Sequence, residues 1–174
     1  TEQLSKEVGP YTISEVTAYS LASYSLRKGS ENDAKKKLEQ FTGSSLPDVM
    51  KSNFGKISSF WIGPSQWLIE APIEIHEDLA SELSEVSVGK ASITEQTDAW
   101  CRFDLKGSEL ATPLSLLCNV DVASFKGGEV TRCQMDHLGC FLICRDIKKI
   151  TILGPRSAAE SLYHAIIAAL KAVV

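Results

Sequence analysis

The strongest constraint on how this chain folds is an order of elements that occurs twice along it. Residues 11–26, YTISEVTAYSLASYSL, are rich in β-branched and aromatic side chains and read as extended chain. In SENDAKKKLEQFTG, Ala34, Leu38 and Phe41 fall at i, i+4 and i+7; Asn32 or Asp33 stands ready to cap and Gly43 to close, which predicts an amphipathic helix. KISSFWIG and WLIEA then predict two strands joined through Gly63-Pro64-Ser65-Gln66, where Pro64 presets φ for the second turn position. HEDLASELSEV supplies a second helix, with Leu79, Leu83 and Val86 on one face.

The same order returns after residue 90. ASITEQ and WCRFDL are strands parted by Thr97-Asp98, and GSELATPLSLLC is a short helix starting at Ser108 or at Thr112. EVTRCQM and CFLICRD predict a hairpin over Asp136-His137-Leu138-Gly139, KKITIL adds a strand, and SAAESLYHAIIAALK ends the chain as a helix. In that helix Ser157 and Glu160 have the spacing of a capping box, and Leu162, Ile166 and Leu170 make the apolar stripe. The expectation is an α+β fold of two similar halves, 1–90 and 91–174, each an antiparallel sheet with two helices, forming one compact unit. Similarity between the halves lies in element order, not in residue identity.

The charge balance narrows the function classes. With 18 basic and 22 acidic residues among 174, the chain is net −4 with a pI of about 5.4, without the cationic footprint that nucleic-acid binding needs. No apolar run approaches the roughly 18 residues of a membrane span, and the N-terminal TEQLSKEVGP is polar. Five cysteines, an odd number, suit a reducing compartment, so a cytoplasmic location is expected.

Few residues are arranged for chemistry. If Met135 pairs with Cys140, then Cys133, Cys140 and Cys144 share a sheet face, but Cys140 and Cys144 lie about 13 Å apart along the strand, too far for one zinc ion. Core thiols are the reading this favours. His76, His137 and His164 are scattered over a helix start, a turn and the last helix, and read as solvent-facing. Gly154-Pro155-Arg156-Ser157 feeds a strand end into a helix start with an arginine beside it, a place where an anion can sit, although Pro155 removes one amide donor. Arg102 and Asp104 alternate with Cys101, Phe103 and Leu105; they form the polar edge of a half-buried strand, or line a cleft or an interface. No paired-carboxylate, nucleophile–base or metal constellation emerges.

Two of the three tryptophans flank one turn, in WIGPSQWLIEAP. With Pro64 and Ser65 at its centre, Ile62 would pair with Trp67, Phe60 with Ile69 and Trp61 with Leu68, so that the indoles point to opposite faces. The face bearing Trp61, Leu68, Ile57 and Pro72 is too apolar to be simply solvated. The rest of the chain, a small ligand or another protein could cover it.

SLRKGSENDAKKKLEQFTGSSLP, WIGPSQWLIEAP, AWCRFDLKGSELATPLSLLCNVDVASFKGGEVTRC and RSAAESLYHAI, in that order, resemble the gamma subunit of heterotetrameric sarcosine oxidase from about residue 20 to the C-terminus. Gln66, where that family more often has glutamate, and Leu117-Cys118-Asn119 mark a divergent member. The resemblance implies a non-catalytic chain whose alpha, beta and delta partners carry FAD, FMN and NAD and oxidise sarcosine to glycine, with tetrahydrofolate as a further participant in the complex. It also implies a fold like the folate-binding domains of aminomethyltransferases of the T-protein group, with ferredoxin-like halves. No catalytic residue, cofactor ligand or metal ligand carries over. Trp61, Trp67, Leu68, Arg102 and Arg156 are the interface candidates. The alternative is a stand-alone folate-binding or aminomethyltransferase-like one-carbon protein. It requires a cavity of about 300–1,000 Å3, with Arg102, Asp104 and Arg156 placed to meet the pterin or the anionic glutamate tail.

Overall fold

The structure, a computed structural model, describes residues 4–174; the first three residues of the polar N-terminal stretch lie outside the described residues. The chain begins with β1 (Ser5–Val8), β2 (Tyr11–Glu15) and β3 (Tyr19–Leu26), followed by α1 (Glu31–Thr42), β4 (Ser52–Asn53), β5 (Ser58–Gly63) and β6 (Gln66–Pro72). It continues through α2 (Leu79–Ser87), β7 (Ala91–Glu95), β8 (Trp100–Lys106) and α3 (Ala111–Leu114). β9 (Val130–Met135), β10 (Leu138–Asp146), β11 (Lys149–Pro155) and α4 (Ala159–Ala172) complete it. Every strand pairing is antiparallel, in one six-stranded sheet ordered β1-β2-β8-β11-β10-β9 and one five-stranded sheet ordered β4-β5-β6-β3-β7. The α+β class with two antiparallel sheets is therefore as the sequence led us to expect.

The division of the chain differs from a cut at residue 90. Two compact units form: one takes the chain up to Thr17 together with Ala99–Val174, the other Ala18–Asp98. The extended segment 11–26 is two strands, not one. β2 pairs with β8, whereas β3 pairs with β6 and β7, so the break at residues 16–18 is where the chain leaves one sheet for the other. Alternation of side chains reports which face a residue occupies and carries no information about which strand lies beside it.

In the unit Ala18–Asp98, α1 and α2 cover one face of the five-stranded sheet. Ala34 and Leu38 of α1 and Leu79 and Leu83 of α2 pack on Ala22, Tyr24, Trp67, Ile69 and Ala71. Gly43 ends α1 in the left-handed conformation, and the Asp78 carboxylate caps α2 by accepting from the Ser81 N–H. Tyr24 fastens both helices to the sheet. Its hydroxyl donates to the Ala34 carbonyl at 2.9 Å and accepts from the Ser87 hydroxyl at 2.9 Å.

In the other unit, α4 lays Leu162, Ile166, Ile167 and Leu170 on the six-stranded sheet, with Leu110 and Leu114 from the α3 region beside them. The Ser157–Glu160 capping box does not form. Arg156–Ala158 is a 3-10 turn, and α4 starts after it without a side-chain cap. Hairpin β9–β10 is tighter than expected: Met135 pairs with Leu138, leaving Asp136 and His137 as a two-residue turn with φ of 48° and 67°. Positive φ at both central residues is the type I′ geometry that suits the twist of two-residue hairpins.

Gly154 of β11 is where α4 meets this sheet most closely: a Cβ at this position would stand 2.2 Å from Leu162 Cδ2. We expect Gly154→Ala to destabilise the chain by about 1–3 kcal/mol through overpacking. In a Leu162→Ala background the same substitution should cost much less, a coupling that a double-mutant cycle by urea denaturation reads directly.

Candidate functional site

The tryptophan hairpin sits in the five-stranded sheet. Its turn is centred on Pro64 and Ser65 as expected, with Ser65 at φ 58°, but the register slips by one residue at Ile62. Trp61 consequently pairs with Trp67, and Phe60 with Leu68. A one-residue bulge reverses every face assignment beyond it, so the two indoles share the helix-covered face instead of pointing apart. Trp67 is buried there, its Nε1–H donating to the Pro47 carbonyl at 3.1 Å, and Trp61 packs at the margin, half-buried. Leu68 faces the other way with Phe60 and is also buried. Of these three interface candidates, only Trp61 retains substantial exposure.

Beside Trp61 lies the apolar surface that the sequence reading overlooked. The Trp61 N–H donates to the Lys51 carbonyl at 3.0 Å, and the connection from α1 to β5 around Lys51 carries Val49, 64% exposed, and Met50, 49% exposed. Phe54 follows on the same segment, its ring centroid 6.2 Å from that of Phe60. Val49 and Met50 belong to no periodic element, so no spacing argument could single them out.

Arg102 and Asp104 lie together on β8, on the sheet face opposite α4, and are only 7% and 5% exposed. They are neither a solvated edge nor separate groups. Asp104 Oδ1 accepts from Arg102 Nε at 2.9 Å and from the Thr151 hydroxyl at 2.7 Å. Asp104 Oδ2 accepts from Arg102 Nη2 at 3.0 Å and pairs with Lys149 Nζ at 2.9 Å. Thr151 in turn accepts from Arg145 Nε at 3.0 Å. Lys149, Thr151 and Arg145 were not singled out from the sequence, because the register of β11 against β8 that brings Thr151 opposite Asp104 is not written in either strand alone.

Burial pushes the Asp104 carboxyl up, but the Arg102 guanidinium, Lys149 and the Thr151 hydroxyl outweigh it and hold the group at about 2. A carboxylate with about four lone-pair sites, all of them occupied, and a pKa this low takes up no proton near neutrality. It is a structural ion cluster, not a general base. Arg156 stands elsewhere, at the start of the 3-10 turn before α4, pairing loosely with Glu15 at 3.6 Å. Neither it nor Arg102 and Asp104 lines the cavity of about 310 Å3 in this unit, which is bounded by Leu110, Val122, Phe125 and Ile150 with Ser108, Glu109 and Cys144 at its polar side. The three residues named for folate contacts therefore do not meet in this cavity.

His76 is not simply solvated either: its Nδ1 lies 2.7 Å from Glu82 Oε2, and its ring packs against Phe41. No group of three or more metal-ligating side chains comes together among the described residues, and no helix among them is long and apolar enough to cross a membrane.

No protein-family model and no curated protein matches the chain by sequence. Solved structures do match its fold. Over 95% of this chain and 86% of the other, it superposes with a TM-score of 0.83 and 19% identity on a chain of the heterotetrameric sarcosine oxidase from Corynebacterium sp. U-96 in complex with pyrrole 2-carboxylate. It also matches the glycine cleavage system aminomethyltransferase T from Bartonella henselae, with a TM-score of 0.64 and 12% identity, over 88% of this chain but only 44% of that one. The fold is thus shared with a sarcosine oxidase chain and with less than half of an aminomethyltransferase.

The Asp104 cluster generates a pH signature. Its folded pKa of about 2 lies below the unfolded value of about 3.9, so ionised Asp104 contributes roughly 2 kcal/mol at neutral pH. That contribution is complete above the unfolded pKa, is about half gone by pH 3 and disappears below pH of about 2. Urea denaturation at pH 7, 5 and 3 should show Asp104→Asn closing its stability gap to the wild type as the pH falls. Asp104→Ala, which strands Arg102 in a buried site, should cost about 3–5 kcal/mol at pH 7.

Proposed function

We propose that this chain is a non-catalytic subunit, of the gamma type, in a sarcosine-oxidase-like complex, where flavin-bearing partner chains oxidise sarcosine to glycine. The observation that carries this reading is the end-to-end match of its fold to a chain of a heterotetrameric sarcosine oxidase, in both directions of coverage. The ordered motifs around WIGPSQWLIEAP and RSAAESLYHAI support the same assignment. In this reading the partners are alpha, beta and delta chains, FAD, FMN and NAD reside in them, and tetrahydrofolate serves the complex as acceptor of the one-carbon unit. Arg102, offered from the sequence as an interface candidate, acts in this reading with Asp104 as the chain's internal clamp. Contact with a partner falls to the surface around Trp61, Val49 and Met50.

The fold shared with part of an aminomethyltransferase favours a second reading, a folate-binding one-carbon protein acting alone. The two readings part in one experiment. Tagged chain recovered from its native cells should bring down larger chains with a flavin absorbance spectrum, and Val49→Asp with Met50→Asp should cut that recovery at least about tenfold, as loss of interface apolar anchors does. Both positions are exposed, so thermal denaturation of the isolated variant should be unchanged within about 0.5 kcal/mol. A colourless single chain that binds tetrahydrofolate in a calorimeter overturns the subunit reading in favour of the second.

A further inference from the structure

Val49 and Met50 are presented by a turn that the tryptophan hairpin holds at both ends. The Lys51 N–H donates to the Asp48 carbonyl at 3.0 Å, so Val49 and Met50 are the central residues of a four-residue turn. Trp67 Nε1–H fixes its approach at the Pro47 carbonyl, and the Trp61 N–H fixes its exit at the Lys51 carbonyl. Met50, the third turn residue, has φ of 58° and Val49 does not share the positive sign, which is the type II geometry. Glycine or asparagine is the usual occupant of that position, because a larger side chain is crowded there. Methionine in this place, with half of its surface in water, is backbone strain retained for an exposed side chain. The chain's other methionine, Met135, is 0% exposed in the core of the six-stranded sheet. Of the two thioethers, one is sealed in, and the other stands on the apolar margin with Val49 and Phe54.

We propose that Met50 is a modification site: hydrogen peroxide converts its thioether to a sulfoxide, and the sulfoxide closes this surface to the partner chain. The inference rests on the subunit reading and concerns the chain before assembly, while Met50 is open to water. A lone pair of the Met50 sulfur attacks one peroxide oxygen. The S–O bond forms and the O–O bond breaks; the proton on the transferred oxygen passes to the departing hydroxide, which leaves as water. Sulfur gives up two electrons, and the peroxide takes up two.

The effect on docking follows from the change in polarity. A thioether is apolar, flexible and polarizable, which suits it to fill an apolar pocket opposite. The sulfoxide is polar and carries a hydrogen-bond acceptor, for which an apolar pocket holds no donor. On docking, that oxygen would lose its water and gain no partner. In the free chain it stays hydrated, and Met50 is absent from the cluster beneath α1 and α2, so the fold is left as it was. Sulfoxide reductases, one for each epimer at sulfur, return the thioether, which makes the change reversible.

The test treats the tagged chain with hydrogen peroxide, then with dithiothreitol to return oxidised thiols, and uses it to recover partners from an extract of its native cells. Tryptic peptide 38–51, which carries Met50, should gain one oxygen well before peptide 133–145, which carries Met135. The oxidised chain should recover at least about fivefold less of the flavin-bearing chains than the untreated chain, with its thermal melt in place. Incubation with both sulfoxide reductases should restore recovery. Met50→Leu, of nearly the same volume, should recover the partners whether or not it has met peroxide. The proposal is overturned if Met135 oxidises as fast as Met50, or if peroxide impairs Met50→Leu equally. It is also overturned, alone, if untreated and oxidised chains recover the partners equally well. An untreated chain that recovers no flavin-bearing partner overturns the subunit reading, and this proposal with it.

Discussion

The buried carboxylate of Asp104 is the interaction on which the six-stranded sheet depends. β8 is flanked by β2 and β11, and Asp104 stands opposite Ser14 on one side and Thr151 on the other. A charge removed from water survives only if its acceptor positions are filled, and here Arg102, Lys149 and Thr151 fill them. Those donors come from two strands, so the cluster closes in one register only. A slip of one residue between β8 and β11 would turn Asp104 onto the face occupied by Cys101, Phe103 and Leu105, where no donor waits. The cluster's main effect is therefore on specificity of pairing, since well-packed apolar residues of similar volume could match its net contribution to stability.

The other unit solves the corresponding problem without charge. Tyr24 sits between α1, α2 and the sheet, and its hydroxyl gives one hydrogen bond to each helix, which fixes where both lie on the apolar face. Trp67 does the same for the chain leaving α1, by holding the Pro47 carbonyl. Burial raises the Tyr24 pKa, with the Ser87 bond opposing it, so the hydroxyl stays a neutral donor and acceptor at any ordinary pH. One unit locks its sheet from the side away from the helices, the other from the side beneath them.

What was legible in the sequence follows from what periodicity encodes. Ala34 and Leu38, or Leu79 and Leu83, declare a helix face because a buried stripe must repeat every three to four residues. The strands declare themselves by composition and alternation. Partnership is invisible at that level: nothing in YTISEVTAYSLASYSL says that its first part joins β8 and its last part β6, because strands pair through their backbone edges, which look alike whatever the side chains. The tryptophan hairpin shows a second limit. Its turn was readable from Pro64, but the bulge at Ile62 was not, and that single extra residue brought Trp61 and Trp67 to the same face. For the candidate site, Arg102 and Asp104 were visible as a pair, whereas Lys149 and Thr151 entered only through the fold.

The margin beside Trp61 shows how sheet edges and apolar exposure are balanced. β4 is an edge strand of only two residues, Ser52 and Asn53, so it offers almost no free ladder for another strand to join. The apolar side chains flanking it, Val49, Met50 and Phe54, are nevertheless turned to the surface, and Met50 holds φ at 58°, a conformation that non-glycine residues seldom adopt. Exposing them gains nothing for the isolated chain, since neither Val49 nor Met50 contributes to the cluster beneath α1 and α2. A surface that is apolar in its side chains but closed to strand addition recognises by shape and burial, not by backbone hydrogen bonds, and such surfaces are selective because each side chain needs its own pocket opposite. That combination suits the subunit role proposed for this chain.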